Sequence, residues 1–207
     1  MSVHERGGLE GVYVAIVRDN EDPEALGRVK LEYPWRETTD ESTWARIAVP
    51  MAGDGRGTYF LPETGDEVLV AFEGGDIDHP YVIGALWNGE DEPPADNRDG
   101  NNDLRQISSR NGHELTFDDG DEGGSVSIET AGGHRVILDD QSGGETITIE
   151  DTGGNEIEFD TTSASLSISS NGTISIDAAM LELGATGNVD IDAGGVLTLN
   201  GAIIRLN

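Results

Sequence analysis

The chain has 207 residues, room for one or two small domains, and sets 41 acidic residues against 12 basic ones for a formal net charge of −29. That sign argues against nucleic acid and anionic membrane as partners, since gripping phosphates needs cations. Cysteine is absent, which excludes disulfides, thiolate nucleophiles and thiolate metal sites.

Lys30 is the sole lysine, and the sequence pI is near 4.1. Such a composition points to adaptation to molar salt, where the Debye length falls to about 3 Å and self-repulsion is screened. We read the source as halophilic. No run of 18 apolar residues and no basic-then-apolar start occurs, so neither a membrane span nor a signal peptide is expected. Helix signals are nearly lacking, and the expected class is all-β.

Residues 1–10 read as a polar arm. Residues 11–88 hold the first domain. A strand is expected over 11–17, then an acidic turn at 20–24. A second strand follows over 27–35, placing Val29, Leu31 and Tyr33 on one face. Further strands are expected over 43–49 and 57–61, over the strongly apolar 66–72, and over 80–86. Five or six short strands separated by Gly, Pro and Asp turns predict an OB-fold barrel. Residues 89–111 read as linker and neck, polar and turn-rich over most of their length.

Residues 112–207 repeat one small unit, an apolar–polar–apolar triplet followed by acidic or small residues. The triplets start at Leu115, Val126, Val136, Ile147, Ile157, Leu166, Ile174, Leu181, Val189, Leu197 and Ile204. Starts lie 11, 10, 11, 10, 9, 8, 7, 8, 8 and 7 residues apart. Period-two triplets at such spacing mean short stacked strands, and the shrinking spacing means a taper. Two buried side chains per strand contribute about 3–6 kcal/mol. Ordering the backbone of one repeat costs about 8–20 kcal/mol. The repeat is therefore expected to form an intertwined triple-stranded β-helix, a trimeric needle in which every strand is flanked by strands of other chains.

Several motifs have plain readings. Leu61-Pro62-Glu63-Thr64-Gly65 spells a sortase signal, but it is internal and is expected to be a turn. Asn171-Gly172-Thr173 fits a glycosylation acceptor and, better, a tight turn tolerant of positive φ. The Gly-Gly pairs at 123, 132, 143, 153 and 194 lack the calcium-roll nonapeptide and read as corners. Acidic corners such as Asp118/Asp119, Asp139/Asp140 and Glu150/Asp151 read as solvated surface ahead of cation sites. Four scattered histidines form no ligand set, so no metal or cofactor is expected. No nucleophile elbow or triad is visible, and the chain is expected not to be an enzyme. Trp35, Trp44 and Trp87 read as packing residues before a sugar platform.

Two groups of motifs carry a family resemblance. The first is Gly27-Arg28-Val29-Lys30 with Tyr33-Pro34-Trp35, Trp44-Ala45-Arg46-Ile47-Ala48, and the stretches 60–72 and 75–84. The second is Ser109-Arg110-Asn111-Gly112-His113-Glu114-Leu115-Thr116-Phe117-Asp118-Asp119. Together they resemble the VgrG and phage baseplate assembly protein V spikes of contractile injection systems. The resemblance implies a homotrimer with an OB collar and a β-helical needle that pierces a target envelope. It implies a baseplate hub protein as partner on the OB side, and the short N-terminal arm suggests a stand-alone spike with that hub on another chain. The last strand stops in mid-pattern, so Ile203, Ile204, Leu206 and Asn207 are the expected platform for a PAAR-type tip protein. The implied site of action is the baseplate of a virion or injection particle, after synthesis in the cytoplasm, including particles released outside the cell. An apical His-x-His iron motif is missing. The alternative is a secreted monomeric OB-plus-solenoid module that binds surface glycans.

Overall fold

The computed structural model describes residues 8–37, 41–121 and 123–205. The chain is all-β and divides into two compact units at Ser108/Ser109.

In the first unit the long strands are β1 (Tyr13–Asp19), β6 (Glu67–Phe72) and β7 (Pro80–Ala85). The short ones are β2 (Lys30–Glu32), β3 (Arg46–Ile47), β4 (Ala52–Gly53) and β5 (Arg56–Gly57). The main sheet runs β2-β1-β6-β7-β3, antiparallel except for the β3–β7 pair. Val29 and Ala45 then exchange backbone hydrogen bonds of 3.0 and 2.7 Å, joining the start of β2 to β3. The sheet closes on itself. This is the five-stranded OB barrel.

Strand alternation explains the core. Ala15 and Val17 on β1, Leu31 on β2, Val68, Val70 and Phe72 on β6 and Val82 on β7 all turn inward, with Val29, Tyr33 and Ala45. The expected strand over 57–61 is not there. Arg56–Gly57 instead pairs with Ala52–Gly53 in a small hairpin, and Tyr59 and Phe60 are exposed. Neither aromatic has a core to face, so alternation there drives no pairing. The expected strand over 43–49 shrinks to Arg46–Ile47 plus the Ala45 bridge. Leu61–Gly65 is a turn, with Asp66 N–H donating to Glu63 O and Gly65 at φ 106°.

A seven-stranded antiparallel meander follows in the order β14-β13-β12-β11-β10-β9-β8. Its strands are β8 (Leu104–Ser108), β9 (Glu114–Asp118), β10 (Ser125–Glu129), β11 (Arg135–Asp139), β12 (Thr146–Glu150), β13 (Glu156–Asp160) and β14 (Ser165–Ser169). The first six expected triplets each sit inside one of β9 to β14. β8 falls in the expected neck, where Leu104 and Ile107 are three apart and give no period-two signal.

One expectation needs correcting. In β9 to β13 the ladder partners on both sides belong to the same chain, not to other chains. The reason is local: each corner returns the chain directly as a hairpin, so the neighbouring strand is always the nearest segment. Among the described residues, the triplets from Ile174 onward form no ladder within the chain. A five-residue strand plus its hairpin corner takes nine to eleven residues here, and the spacing there has fallen to seven or eight. The meander cannot continue. The Asn171–Gly172 turn also forms without positive φ at either residue.

Candidate functional site

The second unit presents one apolar face, and register dictates how it is laid out. Leu115, Ile128, Val136, Ile149, Ile157 and Ile168 stand directly opposite one another down the ladder. Phe117, Val126, Leu138, Ile147, Phe159 and Leu166 form a second column two residues away along each strand. Both columns lie on the same face, because positions i and i+2 point the same way. Among the described residues, no second layer covers them. Phe117, Ile128, Leu138, Ile147, Ile149, Phe159, Leu166 and Ile168 are 40–56% exposed. Beyond the meander, the large apolar side chains from Ile174 to Ile204 are 52–87% exposed. An open groove of about 630 Å³ runs along the first column, lined by Ile128, Val136, Ile149, Ile157, Ile168 and Ile174.

The corners on the first-column side repeat every 21 residues. Ser109, Thr130 and Asp151 each accept, through a side-chain oxygen, the N–H four residues on (His113, His134, Asn155) at 3.0, 3.1 and 2.9 Å. Gly112, Gly133 and Gly154 occupy the same left-handed position, φ 81°, 83° and 82°, which disfavours any residue with a Cβ. At the opposite corners Asp118, Asp139 and Asp160, again 21 apart, each accept the N–H two residues on. The Asn155 amide and backbone hold the Asp151 carboxyl below its ordinary range, and the Ser163 N–H and hydroxyl do the same for Asp160. This exact period was present in the sequence but was blurred by reading single strands, whose spacing alternates between 11 and 10.

The polar face carries a row of strand-end charges. Glu114 stands opposite Glu129, and Glu150 opposite Glu156. Like charges in register repel. Arg135 sits between these pairs, donating from Nε and Nη2 to Glu129 at 3.0 and 3.2 Å and lying 3.7 Å from Glu150.

In the barrel, Asp22 organises the β1–β2 loop. Its carboxylate accepts the N–H groups of Glu24, Leu26 and Arg28 and two guanidinium bonds from Arg28, at 2.7–3.3 Å. Its side chain is only 3% exposed. Sequence reading saw an acidic turn and missed this hub; the signal was an aspartate six residues before an arginine. Trp35 donates to Val14 O and packs on Tyr13 and Tyr33, while Trp44 lies under Lys30 and Arg28. Trp87 is exposed. The three do not form one platform. Of the expected tip platform, Ile203 and Ile204 are exposed, whereas Leu206 and Asn207 lie outside the described residues.

Residues 13–87 match the type VI secretion system/phage-baseplate injector OB domain. Residues 13–87 are thus an injector-type OB domain, similar to that of the VgrG and phage baseplate V spikes. The match covers the closed barrel described above, from β1 to just past β7. The chain is 32% identical over 94 residues to the actin cross-linking toxin VgrG1 of Vibrio cholerae, covering 42% of this chain and 9% of that one. It is 34% identical over 73 residues to the spike protein VgrG3 of Vibrio cholerae and 35% over 72 to VgrG1a of Pseudomonas aeruginosa, each covering 33% of this chain. These alignments span only 7% and 11% of the two spike proteins. What the chain shares with these relatives is thus a segment.

Proposed function

We propose that the protein is the homotrimeric central spike of a contractile injection system, acting mechanically and not as an enzyme. One observation carries the reading: an injector OB barrel is followed in the same chain by a strand repeat whose apolar face is left open. A lone chain exposing that much Ile, Leu, Val and Phe has an incomplete core, and monomers rarely leave such patches uncovered. Three copies of the meander, apolar columns inward, form a triangular shaft. Residues from about 172 onward, too short in period to fold back, pair with the other two chains in a triple-stranded β-helix.

Within this reading the barrel is the collar that meets a baseplate hub, and the C-terminal end around Ile203 and Ile204 carries a tip protein of the PAAR type. Contraction of a sheath would drive the shaft through an envelope. The intertwined end resists unravelling because no chain can leave without breaking pairs with both others. The place of action is the baseplate of a virion or injection particle.

Light scattering on a sizing column in molar salt tests the assembly. We expect a mass near three times 22.0 kDa. A 22.0 kDa particle with full β signal would overturn the spike reading.

A further inference from the structure

We propose that Asn88–Gly89, in the turn after the barrel's last strand, is a self-modifying site. The turn activates the Asn88 carboxamide for attack by the Gly89 nitrogen, and Asn88 is converted to aspartyl and isoaspartyl residues with loss of ammonia. Water is the co-reactant.

The chain spells Asn-Gly four times, at Asn88, Asn111, Asn171 and Asn200. A glycine after asparagine leaves attack on the side-chain carbonyl carbon uncrowded, because no Cβ stands beside the attacking nitrogen. By sequence the four are equal. The structure separates them by what holds the two reacting groups: the attacking N–H must be free, and the carbonyl oxygen must be able to take up negative charge.

Asn88 meets both conditions. Its Oδ1 accepts the N–H groups of Glu90 and Asp91, each at 2.7 Å. Two backbone donors converging on one carbonyl oxygen form an oxyanion hole, which stabilises the charge that develops as the carbon becomes tetrahedral. Asn88 Nδ2 donates to the Asp91 carboxylate at 3.2 Å, and the Asn88 N–H donates to Asp91 O at 3.1 Å. The carboxamide is therefore fixed with its oxygen in the cradle. Among the described residues, the Gly89 N–H donates no hydrogen bond. Residues 88–91 are all exposed, so solvent reaches both the nitrogen and the leaving group.

The other three differ. Gly112 N–H donates to Ser109 O at 2.9 Å, and Gly172 N–H donates to Ser170 Oγ at 3.1 Å, so both nitrogens are engaged. Asn171 Nδ2 is also held, donating to Gly153 O at 3.1 Å. Asn200 has no N–H on its side-chain oxygen among the described residues and so lacks the cradle.

In the first step the Gly89 N–H proton passes to a solvent base and the bond from that nitrogen to Asn88 Cγ forms. The Cγ–Nδ2 bond then breaks, with Nδ2 taking a proton from water and leaving as ammonia. Water opens the resulting cyclic imide at either carbonyl. The product exchanges an amide donor for a carboxylate within the acidic run Glu90-Asp91-Glu92. The bond to Asp91 is lost and like charges are set side by side, which loosens the turn.

Peptide mapping by mass spectrometry, with enzymatic isoaspartyl methylation as a second readout, tests the site. The native chain in molar salt is compared with the same chain unfolded in urea at the same mildly alkaline pH. Unfolding erases the turn and keeps the dipeptides, so each site is its own reference. Asn88 is expected to convert at least about threefold faster in the native chain than in the unfolded one, a modest share of the roughly 100-fold that one oxyanion donor is worth in an enzyme. Asn111 and Asn171 are expected to convert more slowly native than unfolded. A smaller native gain at Asn88 would overturn the proposal. Gly89→Ala fits the turn, since a Cβ there meets nothing within 4 Å, and is expected to suppress conversion at Asn88 without moving the Tm. Undiminished conversion in that variant would point to direct hydrolysis of the amide and would also overturn it.

Discussion

Asp22 is the residue on which the barrel's first loop depends. Five hydrogen bonds converge on one carboxylate that is nearly closed off from solvent, and the Arg28 guanidinium holds its pKa far below the usual carboxylate range. A depressed folded-state pKa contributes stability above the unfolded-state value, near 3.9, and that contribution fades as pH falls below it. Asp22→Asn removes the charge and its two guanidinium bonds. It is expected to lower the Tm by several degrees at pH 5–8, with the gap to wild type narrowing below about pH 4. A thermal melt series from neutral pH into acid checks this; a gap that widens in acid would contradict the assignment. Glu32 follows the same sign through Arg18, which donates to it at 2.6 Å, but on a more exposed surface where screening weakens the pair.

At the scale of the element, the meander is set by turns as much as by strands. Each 21-residue unit reuses one capped glycine corner and one aspartate corner, so the register of each strand follows from its corners and from the pairing of apolar columns. The charge row on the other face works against this order, with glutamates opposed at two rungs. Arg135 breaks the row. Replacing it in Arg135→Gln takes away the cation between Glu129 on β10 and Glu150 on β12. The Tm of the variant is expected to drop by several degrees in 0.1 M salt, where the Debye length is about 10 Å, and to approach wild type in molar salt, where it is about 3 Å. Equal losses at both salt concentrations would mean that Arg135 acts by packing its stem and not by its charge.

For the molecule as a whole, the incomplete part is roughly the C-terminal sixth. Residues 170–205 expose their apolar side chains and have no ladder within the chain, which is what a segment awaiting partner strands looks like. Its last residues form the proposed tip platform. Removing residues 202–207 is expected to leave the assembled mass per chain and the β signal unchanged while abolishing capture of a PAAR-type tip protein in a pull-down. Retained capture would move the tip's seat elsewhere.

The sequence by itself determined the β class, the period-two core of the barrel, the strand identity of the first six triplets and the family of residues 13–87. Those features are local: alternation of side chains and turn residues act within a few positions of one another. Only the tertiary structure decided that Val29 and Ala45 close the barrel, that Asp22 gathers its loop, that β9 to β14 pair within one chain, and that the pairing stops where the repeat shortens. Each of these depends on which segments come side to side. Loop closure favours the nearest strand as partner whenever a corner of four to six residues is available. Triplet spacing alone, which says that a strand exists, does not say which strand lies next to it.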